Sequence, residues 1–173
     1  MHMLHLIRHA KSSWKEDVED HERGLNRRGR EAARRVGRHL PAAAGALDFV
    51  LCSNALRARQ TMELVLASYL VQPRSMIEEE LYAATPERLT DRLRRLAEDD
   101  ANVLLIGHNP GLHQLAITLA ETGSPCFPAL ASGKFPTAAR ATFRIRNGWS
   151  ALGRSRHELV DYVTVASLPG DEG

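Results

Sequence analysis

Cysteine is nearly absent: Cys52 and Cys126 are the only two thiols in 173 residues. Two cysteines so far apart form no disulfide framework and no Cys-x-x-Cys motif. A reducing, cytoplasmic setting is therefore expected. Lysine is scarce too, confined to Lys11, Lys15 and Lys134, so the remaining basic side chains are arginines. The net charge is only +2, which excludes the strongly basic balance of a nucleic-acid binder. No run approaches the ~18 apolar residues of a membrane span. The opening Met1-His2-Met3-Leu4-His5-Leu6 lacks the basic region and long apolar segment of a signal peptide. His-Glu-x-x-His spacing and the Gly-x-x-x-x-Gly-Lys-Ser/Thr loop are also missing. No metal, no organic cofactor and no nucleotide hydrolysis by that route are expected.

What is present is an alternation of strand and helix. Met3 to Arg8 reads as a first strand. Asn26 to Leu40 reads as a helix, with Ala32, Ala33, Val36 and Leu40 on one face and arginines on the other. Pro41 to Gly45 is expected to break it. Asp48 to Cys52 reads as a strand, Ala55 to Leu70 as a helix, Met76 to Glu80 as a weaker strand, and Pro86 to Glu98 as a helix with Pro in its first turn. Asn102 to Gly107 has the continuous apolar character of a covered strand. A helix over Gly111 to Ala120, a loop over Glu121 to Pro136, and closing strands at Ala141 to Arg146 and Leu159 to Val165 follow. There is no repeat or low-complexity linker. The pattern predicts an α/β fold: one domain over residues 1–168, built as a three-layer α/β/α sandwich around a mostly parallel central sheet. Residues 169–173 are expected to fray.

Ligand sites in open parallel sheets lie beyond the carboxyl ends of the strands. Three ends here carry polar chemistry. The first strand ends in Arg8-His9, and the second in Cys52-Ser53-Asn54 with Arg57 just behind. The strand at 102–107 runs into Gly107-His108-Asn109. Parallel strands would bring two arginines and two histidines to one anion-sized site. Guanidinium groups grip oxyanions, and neutral imidazole is a usable nucleophile near pH 7. The combination points to attack on a phosphoryl group. A phosphate-binding module would keep Arg8 and Arg57 without needing His9. Cys52 does not fit a cysteine phosphatase, which needs five residues between Cys and Arg; the position that should be Arg is Ala58.

These segments resemble the histidine phosphatase superfamily, the group that includes the phosphoglycerate mutases. Its Arg-His-Gly opening appears as Arg8-His9-Ala10. Its Ser-x-x-x-Arg-Ala-x-x-Thr element appears as Ser53 to Thr61, and its Gly-His element as Gly107-His108. Ala10 in place of Gly, Lys11-Ser12-Ser13-Trp14, Leu25-Asn26-Arg27-Arg28-Gly29 and Phe135-Pro136-Thr137 are similar to the SixA-type phosphohistidine phosphatase branch. The resemblance implies a phosphoglycerate mutase-like fold. It also implies a nucleophilic His9 that is transiently phosphorylated, with Arg8, Arg57 and His108 clamping the phosphoryl oxygens. His108 would act best as a cation, and Ser12 would add one hydrogen bond.

Many relatives use a carboxylic acid after the third strand to protonate an alkoxide leaving group. Glu78, Glu79 and Glu80 lie in that region, with Glu80 the preferred candidate and an acidic surface run the plain alternative. A missing acid would favour phosphohistidine, whose imidazole leaves far more readily than an alkoxide. The expected partner is a phosphorylated protein carrying phosphohistidine, the alternative a small phosphorylated molecule. Short spans between motifs suggest an open site, with only the loop around Ser124 to Lys134 able to cover it. His2 and His5 read as sheet residues, His21 as a residue of the charged loop 17–23. Arg27, Arg28, Arg30, Arg34, Arg35 and Arg38 form a basic face, read as solvated or, alternatively, as docking an acidic partner.

Overall fold

The computed structural model describes residues 1–170. Six strands form one sheet: β1 (His2–Arg8), β2 (Phe49–Ser53), β3 (Arg74–Glu78), β4 (Asn102–Gly107), β5 (Arg140–Ile145) and β6 (Glu158–Val163). Their order across the sheet is β3-β2-β4-β1-β5-β6. The pairs β2–β3, β2–β4 and β1–β4 are parallel, whereas β5 and β6 add an antiparallel edge. The sheet is thus mixed, with its parallel part where the motif-bearing strands lie.

Alternation along the strands divides the core into two layers. Leu4 and Leu6 of β1 join Val103 and Leu105 of β4 on one face, under α3 (Pro86–Arg94), α4 (Gly111–Leu119) and α5 (Phe127–Ser132). Ile7, Leu104 and Ile106 point to the other, under α1 (Arg27–Ala44) and α2 (Leu56–Leu66). His5 shares that second face but is not orphaned. Its Nδ1 meets Thr142 Oγ1 at 2.9 Å and its Nε2 meets Asn102 Oδ1 at 2.7 Å. Burial pushes its pKa down to about 4, so the ring is held neutral.

Two expectations need correction. Pro41 does not break the first helix; α1 continues to Ala44 and stops at Gly45, whose φ is +71°. Proline costs the turn one N–H, but buried Leu40 and the half-buried Ala44 keep this end against the core. The segment 121–136 is not all loop, because it contains α5. Proline is compatible with a first helical turn, which is where Pro128 sits, and Leu130 is fully buried. Of the tail expected to fray, Pro169 and Gly170 are exposed and outside any helix or strand, and 171–173 lie outside the described residues.

The Leu25 to Gly29 segment docks the start of α1 onto the chain just after β1. The Asn26 N–H donates to the Lys11 carbonyl at 3.0 Å, and the Asn26 side chain caps the helix by accepting from the Gly29 N–H at 2.8 Å. A Cβ on Gly29 would lie 2.0 Å from the Lys11 carbonyl oxygen. Gly29→Ala should therefore lower stability by roughly 1–3 kcal/mol or more in urea unfolding. Gly123→Ala, with no atom within 4 Å of the added Cβ, should be nearly neutral. Equal effects would contradict this account of the segment.

Candidate active site

The parallel ladders bring the three strand ends together. Arg8 at the end of β1 stands beside Gly107 at the end of β4, and Cys52 of β2 pairs with Ile106 on the other side of β4. Beyond this edge lies a cavity of about 470 Å³ lined by Arg8, His9, Ser12, Arg57 and His108 among others. Five of the six residues singled out in the sequence therefore share one pocket.

His9 is buried, and its Nδ1 lies 2.7 Å from the Ala10 carbonyl oxygen. A carbonyl only accepts, so Nδ1 carries the proton and Nε2 keeps its lone pair. Burial, reinforced by Arg57, Arg8 and Arg23, pushes the His9 pKa down to about 4 despite the Ala10 hydrogen bond. The ring is neutral near pH 7. The ring of His108 lies 5.1 Å from that of His9, centroid to centroid. Its Nε2 meets Ser53 Oγ at 2.7 Å. Burial pushes its pKa to about 3, with His9 and Arg57 adding repulsion. The expected cation is thus a neutral ring in the protein's own field; a bound dianion would act in the opposite direction.

Thr61 joins two of these elements. Its buried hydroxyl accepts from the Ala10 N–H at 2.9 Å and donates to the Arg57 carbonyl at 2.7 Å. This gives the last position of the Ser53-to-Thr61 element a structural reason. Arg8 Nη1 donates to the Phe135 carbonyl at 3.3 Å, which Asn109 Nδ2 also reaches at 3.0 Å. The backbone around this anchor is strained: Phe135 and Ala138 have φ of +48° and +63°. The buried Nε atoms of Arg8 and Arg57 have no protein hydrogen-bond partner, and a tetrahedral oxyanion is the chemistry such donors fit.

Three polar pocket residues escaped the sequence reading: Asp20, Arg23 and Tyr82. Asp20 accepts from Arg57 Nη2 at 3.1 Å, from Arg23 Nε at 3.0 Å and from the Tyr82 hydroxyl. The Tyr82 hydrogen bond and the two guanidinium groups hold its carboxyl far below the ordinary carboxylate range. Arg23 also donates to Ser12 Oγ at 2.6 Å and lies 3.5 Å from the centroid of the exposed Trp14 ring. The Ser12 oxygen is thus an acceptor for Arg23, and its own proton remains available to a ligand. Tyr82 meets His108 edge-on at 5.5 Å and His21 at 4.9 Å. His21 is a support at the rim, with its Nε2 2.6 Å from Asn54 Oδ1. The charge density of 17–23 is the one sequence signal for Asp20 and Arg23, and Tyr82 has none.

Glu80 is not brought to the pocket. It follows β3 in a 3₁₀ turn at Glu79–Leu81, where its carboxylate takes Arg95 at 2.7 Å and approaches Arg92 at 3.4 Å. Glu78 is bound bidentately by Arg92. The segment 124–134 lines none of the cavity either; residues 11–23 form that wall instead. Cys52 is fully buried, its thiol is pushed up to about 12 by burial, and it is not a pocket residue. Among the described residues no three His, Cys, Asp or Glu side chains gather as a metal site, and no helix is long and apolar enough to cross a membrane.

Two measurements check this geometry. Thr61→Val leaves the buried Ala10 N–H unsatisfied, and should cost about 1–3 kcal/mol in stability. For pH, His5, His9 and His108 all have pKa values below the ordinary 6.5, at about 4, 4 and 3. Between pH 6.5 and about 4 the unfolded chain therefore binds more protons than the folded one. Stability should be complete above pH 6.5 and fall as the pH drops, by on the order of 1 kcal/mol per unit for each such histidine. A Tm that is flat between pH 6.5 and 4.5 would contradict the burial of these rings.

Comparison with known proteins agrees with the architecture. The profile of the histidine phosphatase superfamily (branch 1) matches residues 4–95. An uncharacterised protein of Mycobacterium tuberculosis is 37% identical over 158 residues, covering 90% of this chain and 98% of that protein. The provisionally named phosphohistidine phosphatase SixA of Nakamurella multipartitia superposes with a TM-score of 0.83 at 26% identity, over 94% of this chain and 95% of that one. Its counterpart from Agrobacterium tumefaciens gives 0.79 at 27%, over 94% and 97%. With the strand ends, the two histidines and the paired arginines in the expected order, the chain belongs to the histidine phosphatase superfamily and is of the SixA type within it.

Proposed function

We propose that the protein hydrolyses phosphohistidine on another protein through a phospho-His9 intermediate. One observation carries the choice of substrate. The carboxylate in the pocket, Asp20, is held ionised by Tyr82, Arg23 and Arg57, and Glu80 is tied to Arg95 and Arg92 elsewhere. Among the described residues no carboxylic acid therefore stands ready to protonate an alkoxide, a step worth roughly 10²–10⁴ in rate. Imidazole needs no such help. When its other ring nitrogen is already protonated, it leaves phosphohistidine as a neutral molecule.

The steps balance without a further reactant except water. The lone pair on His9 Nε2 attacks phosphorus, the P–N bond to the substrate imidazole breaks, and that imidazole keeps the bonding pair. Phospho-His9 is a cation at the ring, which the Ala10 carbonyl stabilises by accepting from Nδ1–H. Water then attacks phosphorus, the P–Nε2 bond breaks, and both water protons leave with the phosphate. Arg8, Arg57 and His108 hold the phosphoryl oxygens through the charge build-up of each transfer, and Ser12 offers one donor more. Asp20 and Thr61 position Arg57.

The test compares a phosphohistidine peptide with the matching phosphoserine peptide. Turnover of phosphohistidine should exceed that of phosphoserine by at least about 10². It should be lost in His9→Ala and unchanged in Glu80→Gln, and a denaturing quench at alkaline pH should trap an acid-labile label on His9 before decay. Comparable phosphoserine turnover that depends on Glu80 would overturn the assignment.

A further inference from the structure

The catalytic pocket is not an isolated hole. A second cleft of about 440 Å³ shares Lys11 and Thr137 with it and continues along the first turns of α1. One wall carries Lys11, Arg28 and Arg35; Ala32, Pro136 and Val165 give it an apolar floor. Lys11 and Arg28 are exposed and have no carboxylate partner among the described residues. Arg35 is braced differently: its Nη2 donates to the backbone carbonyls of Leu168 and Pro169 at 3.4 and 3.3 Å, and among the described residues no carboxylate pairs with it. Among the described residues Glu31 is the one acid lining this cleft, and Arg27 already pairs with it at 3.1 Å. A third concavity links Lys11, Trp14, Lys15 and Arg28 on the other side of Lys11.

We propose that this cleft docks an acidic segment of the phosphorylated protein, adjacent in space to the modified side chain. The proposal rests on the phosphoprotein reading above. Its own support is the complementarity of an uncompensated basic wall with carboxylates, and the continuity of the cleft with the reaction pocket. The apolar floor suits a segment that mixes carboxylates with small apolar side chains. The small net charge of the whole chain disfavours a nucleic-acid strand. Exposed charges of this kind act over about a Debye length, so they steer encounter and are screened by salt.

Three probes test it: phosphoimidazole, a phosphohistidine peptide with flanking Asp and Glu, and the same peptide with neutral flanks. At low salt, kcat/KM for the acidic peptide should exceed that for the neutral one by about tenfold or more. Salt should erase the difference. Arg28→Glu should bring the ratio to one or below, and Arg28→Ala to an intermediate value, with phosphoimidazole turnover unchanged in both. A wild-type ratio near one, or a ratio that survives Arg28→Glu, overturns the docking site. So does equal inhibition by an oligonucleotide and by an unphosphorylated acidic peptide of matched charge, because the cleft would then read charge alone. If phosphoimidazole is inert while acid-flanked phosphoserine peptides are preferred through Arg28, the cleft stands and the phosphohistidine reading falls.

Discussion

The site depends on one constraint: β4 pairs in parallel with β1 on one side and β2 on the other. Strands that run the same way finish at the same edge. Arg8-His9, Ser53 with Arg57 behind it, and His108 are distant in sequence, yet the ladder delivers all of them to that edge. The antiparallel additions, β5 and β6, leave it undisturbed because they extend the sheet beyond β1. Two apolar layers hold the ladder from both sides, so the geometry of the pocket is set by the packing of the whole sheet.

That convergence crowds cations. Arg8, Arg23 and Arg57 stand close enough to His9 that all three oppose its protonation, and Arg57 opposes the charge on Arg8 itself. Asp20 is the counterweight, neutralising Arg23 and Arg57 from one side while the buried Nε atoms of Arg8 and Arg57 keep donors unpaired. The result is a pocket that prefers a small anion and a neutral imidazole together. Burial does most to keep Nε2 deprotonated, and the field that attracts phosphate adds to it.

Much of this was legible in the sequence. The apolar run Val103 to Ile106 reads directly as a covered strand, and the turn residues after each strand mark the site edge. His9, Arg57 and His108 could be assigned because each follows a strand end that the topology rule brings together. Asp20, Arg23 and Tyr82 could not, because they reach the pocket from irregular segments whose path no periodicity records. Glu80 was misplaced for a related reason: the chain turns sharply after β3, and Arg92 and Arg95 of the α3 region claim the nearby carboxylates. The helix at 127–132 hid behind a Pro- and Ser-rich composition, although Pro128 is compatible with a first turn.

Cys52 sits at the sheet edge where a thiol nucleophile would be easy to imagine, yet it is sealed in the core and donates to the Ser53 carbonyl at 3.3 Å. On the proposed mechanism, with nitrogen as the attacking atom, the reaction has no thiolate to oxidise to a sulfenic acid. Peroxide stress that silences enzymes built on a reactive cysteine leaves this chemistry its nucleophile. On that mechanism, phosphoryl removal here would persist through oxidation that stops thiol-dependent dephosphorylation.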